Sequence, residues 1–146
     1  GDEPMIAPEA IRALVAALTL PACGYAESQD PMDAADSNVP KVVVSSIGRL
    51  VYLSRAPVPY PKRRVMPLHF QVCVYALDAR TLRIFGETAP GQVERQEGIG
   101  LLRFLEAGVP VWMVKVPPSR VAVDCPSDLE RARDLMLERM AKHANH

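Results

Sequence analysis

The sequence carries no net charge that would draw it to a polyanion. Lys and Arg number 17 together, and Asp and Glu also number 17. A chain so balanced has no long-range field that attracts nucleic acid or an anionic membrane surface. We therefore expect neither nucleic acid nor a membrane as a partner, and any bound anion must be held by local groups.

Cysteines are few, and long apolar runs are missing. Cys23, Cys73 and Cys125 are an odd number with no CxxC spacing, which suggests neither a disulfide framework nor a zinc site. No apolar run reaches the roughly 18 residues that a membrane span needs, and no signal-type segment is visible. These absences predict a reducing, cytoplasmic location.

Common catalytic motifs are also missing. The sequence contains no GxSxG, Walker, GxGxxG or HExxH pattern, which removes the commonest hydrolase, P-loop and Rossmann interpretations. What is present is a chain of 146 residues with 49% apolar content, the right size for one domain with a core. We expect residues 1–146 to form a single unit.

Hydrophobic periodicity divides the first half into a helix, a connection and a hairpin. A helix is predicted from Pro8 until Pro21 stops the pattern, and 21–40 is predicted to be an acidic surface connection. Two β-rich runs around Ile47-Gly48 predict a hairpin over 41–55, followed by a basic loop broken by prolines. The hairpin and the loop together form an insertion at 41–68.

The second half alternates strands with helices. Its predicted elements are a buried strand HFQVCVYAL, a helix capped by Asp78, a helix over 92–107 ended by a left-handed Gly108, a strand PVWMVKV, a short strand VAV before Asp124, and a helix that Pro126 opens. The last helix is predicted to be buried through Leu129, Ala132, Met136 and Met140. Such alternation is typical of an α/β layered domain.

Two acidic residues, Asp2 and Asp124, each stand where a strand is expected to end. Ligands of open α/β sheets bind beyond the carboxyl ends of strands, and carboxylates there can share a hard cation such as Mg²⁺. The alternative is that Asp124 forms a local turn or cap for the Pro126 helix and that Asp2 is an ordinary terminal residue.

A basic group surrounds the predicted hairpin and loop. Its members are Lys41, Arg49, Arg55, Lys62, Arg63 and Arg64. Arginine offers a planar fork for carboxylate or phosphate, so the group could hold an acidic small substrate, although basic residues also commonly protect exposed strand edges. His69 could donate to an anion, or it could be an ordinary core histidine.

Seven segments, taken in order, resemble the 3-deoxy-manno-octulosonate (Kdo) cytidylyltransferases, or CMP-Kdo synthetases. They are GDEPMI at 1–6, NVPKVV at 38–43, YLSRAPVPYP at 52–61, HFQVCVY at 69–75, VERQE at 93–97, LRFLEAG at 102–108 and VDCPSDLERAR at 123–133. The resemblance implies the second half of a nucleotide-diphospho-sugar transferase-like layered sheet, with a β-hairpin insertion through which family members dimerise.

The resemblance also implies a reaction and a site. CTP and an acidic sugar would give a CMP-sugar and pyrophosphate, in lipopolysaccharide biosynthesis. Asp2 and Asp124 match the aspartates that hold Mg²⁺ and, with Arg55, would be catalytic. The substrate-binding positions implied are Arg55, His69, Lys41, Glu94 and Glu97.

The departures from the family pattern open two alternatives. The family's first half, with its nucleotide-binding loop, has no counterpart here, so a non-catalytic half-domain used for binding or dimerisation is one alternative. On the sugar side, Cys73 replaces a tyrosine, Gln71 replaces a glycine, and the family's LEQLR has become IGLLR at 99–103. Lost polar partners weaken recognition of hydroxyl groups. The second alternative is therefore a cytidylyltransferase that acts on a smaller acid such as a phosphonate.

Overall fold

The computed structural model describes residues 3–17, 21–60, 62, 67–119, 122–123 and 126–144. The described helices and strands follow one another in the order α1 (Pro8–Val15), β1 (Ala22–Ser28), α2 (Pro31–Ala35), β2 (Lys41–Val44), β3 (Leu50–Ser54), β4 (Leu68–Ala76), α3 (Ala79–Glu87), α4 (Gln92–Glu97), α5 (Leu102–Glu106), β5 (Trp112–Lys115) and α6 (Pro126–Ala144).

The described strands form one mixed sheet in the order β3-β2-β4-β1-β5. β1 pairs antiparallel with β4 on one side and parallel with β5 on the other, and β2 meets β4 at Lys41 and Phe70. The predicted hairpin is confirmed, because β2 and β3 pair antiparallel around a turn in which Gly48 has φ +82°. The predicted α/β class is confirmed as well.

The prediction of a surface connection over 21–40 is wrong, because this segment contains the central strand β1. A strand buried between two neighbours shows no alternation of apolar and polar residues, and small residues have low β-propensity, so the pattern was hidden. Gly24 explains why small residues are needed, since a Cβ there would lie 2.9 Å from Val74 Cγ1 and 3.0 Å from Val116 Cγ2. The short helix α2 then begins at Pro31, capped by Asp30.

The predicted helix over 92–107 is in fact two short helices, α4 and α5. Gly98 has φ +65°, a left-handed conformation that ends α4, and its N–H donates to the carbonyl of Glu94. The left-handed Gly108, with φ +72°, is confirmed. The predicted short strand before Asp124 is not supported, since Ala122 and Val123 lie in no strand.

Buried apolar side chains form two clusters. The larger joins the hairpin, β5 and the segment from α4 to Val111, and includes Leu53, Leu102, Phe104, Val111 and Met113. The smaller packs α1 against β1 and β4, through Ala10, Ala26, Phe70, Val72 and Val116. Burial of these side chains is the main favourable term that holds the layers together.

The last helix, α6, begins at Pro126 as predicted, and of the four residues predicted to be buried on it only Ala132 is buried. Leu129 is 42% exposed, Met136 39% and Met140 63%, whereas Ala132 is 5% exposed. The first three side chains are exposed, so an apolar stripe that periodicity assigns to a core lies at the surface here. Within the described part of the chain, no helix combines the length and the hydropathy needed to cross a bilayer.

Candidate active site

A cleft of about 630 Å³ lies between β4, the loop that contains α2, and the start of α6. The described charged side chains that line it are Glu3, Asp30, Asp33, Asp36, Asp128 and Arg131. Its polar lining residues include Asn38, Gln71, Cys73 and Ser119. The described walls therefore carry five carboxylates and one guanidinium. Carboxylate oxygens accept hydrogen bonds from hydroxyl groups and bind hard cations, and they repel bare anions.

Glu3 joins the start of the chain to β4. Its Oε1 accepts a hydrogen bond from the Cys73 N–H at 3.3 Å. Its Oε2 is buried and has no hydrogen-bond partner in the described structure. Ser119, which lines the same cleft, is 7% exposed, and its Oγ likewise has no partner in the described structure. A buried polar atom without a partner costs about 1–3 kcal/mol, so both atoms call for a ligand or another group.

The acidic wall of the cleft is shaped by its own carboxylates. Asp30 Oδ1 accepts from the Met32 N–H at 2.9 Å, and Asp36 Oδ1 accepts from the Asn38 N–H at 2.8 Å. Aspartates bond to backbone two residues ahead in this way because their side chains are short. The acidic segment 30–38, between β1 and β2, therefore has a defined conformation, and it lines the cleft.

Arg55, Lys41 and Glu97 lie together at the end of the hairpin. The Glu97 carboxylate accepts from the Arg55 N–H at 2.8 Å and from the Ser54 hydroxyl at 2.7 Å. The Arg55 guanidinium donates to the carbonyls of Glu97 and Ser37, both at 2.7 Å. Lys41 is fully buried, and its Nζ donates to the Arg55 carbonyl at 2.8 Å. The network ties β2 and β3 to α4.

Burial and hydrogen bonds act in opposite directions on the ionisable groups of this network. Burial opposes ionisation of Glu97, but the hydrogen bonds from the Arg55 N–H and the Ser54 hydroxyl outweigh it, so the pKa of Glu97 is lowered. Burial also lowers the pKa of the Lys41 ammonium, although the charge of Asp36 opposes that shift. Glu97 is therefore held as a carboxylate.

His69 lies on the sheet beside Glu27 and Tyr25. Its Nε2 is 3.3 Å from Glu27 Oε1, and its ring centroid is 5.1 Å from that of Tyr25. Lys115 Nζ is 2.8 Å from the other oxygen of Glu27, and this hydrogen bond is the largest influence lowering the pKa of Glu27. His69 is not among the described residues that line the cleft.

Glu94 is engaged in a buried ion pair. Its two carboxylate oxygens accept from Arg103 Nη2 at 2.7 Å and from Arg103 Nε at 2.8 Å. The guanidinium also lies 4.0 Å from the centroid of the Phe85 ring and donates to the Phe85 carbonyl. The hydrogen bonds from Arg103 lower the pKa of Glu94. This pair joins α3, α4 and α5, in a geometry that favours bidentate recognition.

The structure thus groups Lys41, Arg55 and Glu97, and it places His69 and Glu94 with other partners. Asp2 and Asp124 lie outside the described residues. Among the residues that are described, no group of three or more His, Cys, Asp or Glu side chains is placed to hold a metal ion.

Several cleft residues were missed by the sequence reasoning. Glu3 is adjacent to Asp2 in GDEP, and Asp128 and Arg131 are three residues apart on α6, a spacing that puts both on one face of a helix. Both the adjacency of Glu3 to Asp2 and the spacing of Asp128 and Arg131 are visible in the sequence. Ser119 offered none, because a lone serine in a loop resembles any other turn residue.

Comparison with known proteins identifies the family. A family model described as cytidylyltransferase matches residues 1–141. The chain is 38% identical over 143 residues to the 3-deoxy-manno-octulosonate cytidylyltransferase of Anaeromyxobacter dehalogenans, covering 93% of this chain and 58% of that protein. It is 30% identical to the enzyme of the same name from Escherichia coli, covering 99% of this chain and 61% of that protein.

A solved structure shares the fold. A CMP:2-keto-3-deoxy-manno-octonic acid synthetase, complexed with CTP, superposes with a TM-score of 0.86 at 28% identity, and the match covers 94% of this chain and 59% of that chain. The chain therefore spans somewhat more than half the length of the relatives that it matches.

Proposed function

Because the chain belongs to the cytidylyltransferase family, we propose that it takes part in the transfer of CMP from CTP to a Kdo-like acidic sugar, with release of pyrophosphate. The observation that carries this proposal is the family match over residues 1–141, and the likeness to a synthetase structure complexed with CTP supports it. We propose further that the chain corresponds to the C-terminal portion of such an enzyme and works in the cytoplasm.

The reaction needs no covalent nucleophile on the protein. A hydroxyl oxygen of the acid attacks the α-phosphorus of CTP and its proton passes to solvent, while the bond from that phosphorus to the α,β-bridging oxygen breaks and pyrophosphate leaves with that oxygen. Such a transfer depends on in-line placement and on neutralisation of charge. Of the positions that the resemblance implies, we propose Arg55, Lys41, His69 and Glu97 for the substrate side. Glu94, whose two carboxylate oxygens accept from Arg103, would act there only by positioning α4. The carbonyls of Glu97 and Ser37 hold the Arg55 guanidinium in one orientation, as a positioning group requires.

We propose Asp2 and Asp124 as the ligands of Mg²⁺. Glu3, which follows Asp2, and Ala122, which precedes Asp124 by two residues, line the same cleft. Carboxylate oxygens are the donors that Mg²⁺ prefers, so the chemistry of the walls fits this ion. Bound there, Mg²⁺ would neutralise phosphate charge.

The test is release of pyrophosphate from CTP in the presence of Kdo, with this chain as part of the longest available protein. Asp2→Asn and Asp124→Asn should each reduce kcat/KM at least about 100-fold, because a metal ligand contributes several kcal/mol of transition-state stabilisation. Their unfolding midpoints should not change. Full activity of either variant would remove the metal assignment, and no turnover with any acid would remove the enzymatic one.

A second candidate is CMP transfer to a smaller acid such as a phosphonate. Gln71 and Cys73, which stand where the family pattern has a glycine and a tyrosine, both line the cleft. Gln71 is 6% exposed, and its amide donates to the Tyr75 hydroxyl at 3.0 Å. A buried amide occupies volume that a larger sugar would need. Parallel assays with Kdo and with 2-hydroxyethylphosphonate would separate these acceptors.

A third candidate is a non-catalytic half-domain that binds or dimerises. The outward apolar stripe of α6 favours it, as do Ile47 and Val51 of the hairpin, which are 66% and 54% exposed. A homodimer through the hairpin is the assembly we propose, and sedimentation would measure it. Mg²⁺-dependent binding of CTP to the 146-residue chain, measured by titration calorimetry, would contradict a purely non-catalytic role.

A further inference from the structure

We propose that Glu3 and Ser119 form a subsite that binds hydroxyl groups of a polyhydroxylated ligand in the cleft. This inference rests on the proposed function and adds to it the chemical class that one wall of the site recognises. Two sources of hydroxyl groups fit, namely the acidic sugar and the ribose of CTP, and the experiment below distinguishes them.

Two buried polar atoms at the cleft lack hydrogen-bond partners among the described residues. In the described structure, Glu3 Oε2 and Ser119 Oγ are both buried, and neither makes a hydrogen bond. Both residues line the same cleft. Ser119 is 93% removed from solvent, as its exposure of 7% shows, so bulk water does not satisfy its hydroxyl. Native proteins leave few such groups, and each that remains needs a physical explanation, of which a bound ligand is one.

The charge of the cleft wall restricts which ligand groups can bind there. Glu3 Oε2 can only accept hydrogen bonds when the carboxylate is ionised. The described lining contributes four further carboxylates and one guanidinium. Where no cation intervenes, a phosphate or carboxylate group of a ligand also offers only acceptors, so it would be repelled at this wall. A ligand group that binds Glu3 Oε2 directly must therefore donate a hydrogen bond.

Among the ligand groups that donate hydrogen bonds, a hydroxyl group suits both Glu3 and Ser119. A hydroxyl can donate to Glu3 Oε2, and it can accept from the Ser119 hydroxyl, so the hydroxyl groups of a polyol match the hydrogen-bonding needs of both atoms. The hydrogen bond from the Cys73 N–H to Glu3 Oε1, at 3.3 Å, holds the carboxylate in place before any ligand arrives. The subsite therefore favours a polyhydroxylated acceptor over a small phosphonate, unless the ribose is the group that it binds.

The experiment measures binding of three probes by titration calorimetry to the 146-residue chain. Kdo carries a 2-keto acid and hydroxyl groups, pyruvate carries the 2-keto acid alone, and CTP with Mg²⁺ carries ribose hydroxyls. Glu3→Gln and Ser119→Ala should each weaken Kdo binding about 10-fold, the equivalent of one hydrogen bond of about 1.4 kcal/mol. Pyruvate affinity should be unchanged. Glu87→Gln and Ser46→Ala, at exposed positions, are matched controls expected to behave as wild type.

The outcomes separate this subsite from the proposed function. A loss confined to Kdo assigns the subsite to the acceptor, and a loss confined to CTP assigns it to the ribose. Unchanged affinity of both variants for both ligands, or no binding of either ligand to the wild-type chain, overturns the inference. CMP transfer with wild-type KM in both variants would uphold the proposed function while overturning the subsite. Ligand binding that depends on Glu3 and Ser119, without CMP transfer, would uphold the subsite and overturn the proposed function.

Discussion

The helices α5 and α6, both in the second half of the chain, differ in the burial of their apolar side chains. Leu102 and Phe104 of α5 are 1% and 2% exposed, although α5 has only five residues. α6 has 19 residues, yet Met136 and Met140 are 39% and 63% exposed. Helical spacing of apolar residues therefore identifies a face that can be buried, while burial itself depends on whether another element lies against that face.

The contrast extends to polar groups. Around α5, Arg103 and Glu94 satisfy one another inside the fold. Around the start of α6, the cleft retains Glu3 Oε2 and Ser119 Oγ without partners in the described structure. One region is closed and saturated, and the other offers unsatisfied groups to a ligand. Stability and function should therefore respond differently to substitutions in the two regions.

The largest expected effect on stability is in the closed region. Phe104→Ala should reduce the free energy of unfolding by about 3–5 kcal/mol, because it removes a fully buried ring and leaves a cavity against Phe85, whose ring centroid is 5.5 Å away. Urea denaturation followed by circular dichroism measures this loss. A loss below about 1 kcal/mol would mean that α5 is not packed as described.

This contrast also explains which features could be predicted from the sequence. β4, β5, the hairpin and the cap by Asp78 were predictable, since each depends on local chemistry such as branched residues, a turn glycine or a capping aspartate. β1 was not, because its small residues are selected by close approach to Val74 and Val116. The exposure of Met140 was not predictable either, since periodicity contains no information about what lies opposite.

The site was predictable to a smaller extent. The resemblance identified Arg55 and Glu97, and the structure joins them by hydrogen bonds. Ser119 and Arg131 reach the cleft only through the tertiary fold, and no local pattern indicates that. Sequence spacing within one element does not specify which distant residues meet in the fold. This long-range placement is the information that the sequence pattern lacks.

The next largest effect concerns the Glu94–Arg103 pair. Arg103→Met should cost about 2 kcal/mol at neutral pH, because it leaves the Glu94 carboxylate buried without its bidentate partner. Glu94 has a folded-state pKa below its ordinary value of 4.5, so its ion pair stabilises the fold above that value. This contribution is lost as the pH falls through the lowered folded-state pKa.

The pH dependence gives this prediction a specific control. The stability difference between wild type and Arg103→Met should be largest near pH 7, and it should shrink as the pH falls through the lowered folded-state pKa of Glu94 in the wild type. Arg103→Lys, which keeps the charge but not the fork, should recover part of the loss. Chemical denaturation at pH 3 to 7 measures the trend, and a difference that does not depend on pH would indicate lost packing alone.

The smallest effect is expected on the exposed stripe of α6. Met140→Gln should change the free energy of unfolding by less than about 0.5 kcal/mol, because its side chain is 63% exposed and a glutamine is accommodated on a helix surface. Ala132→Gln is the matched control on the same helix, since Ala132 is 5% exposed and a larger polar side chain there should cost about 1–3 kcal/mol. If Met140→Gln instead costs more than about 1 kcal/mol, and the cost depends on protein concentration, a second copy of the chain covers the stripe in solution. The helices α5 and α6 would then differ only in whether the surface that covers their apolar side chains belongs to the same chain or to a second copy.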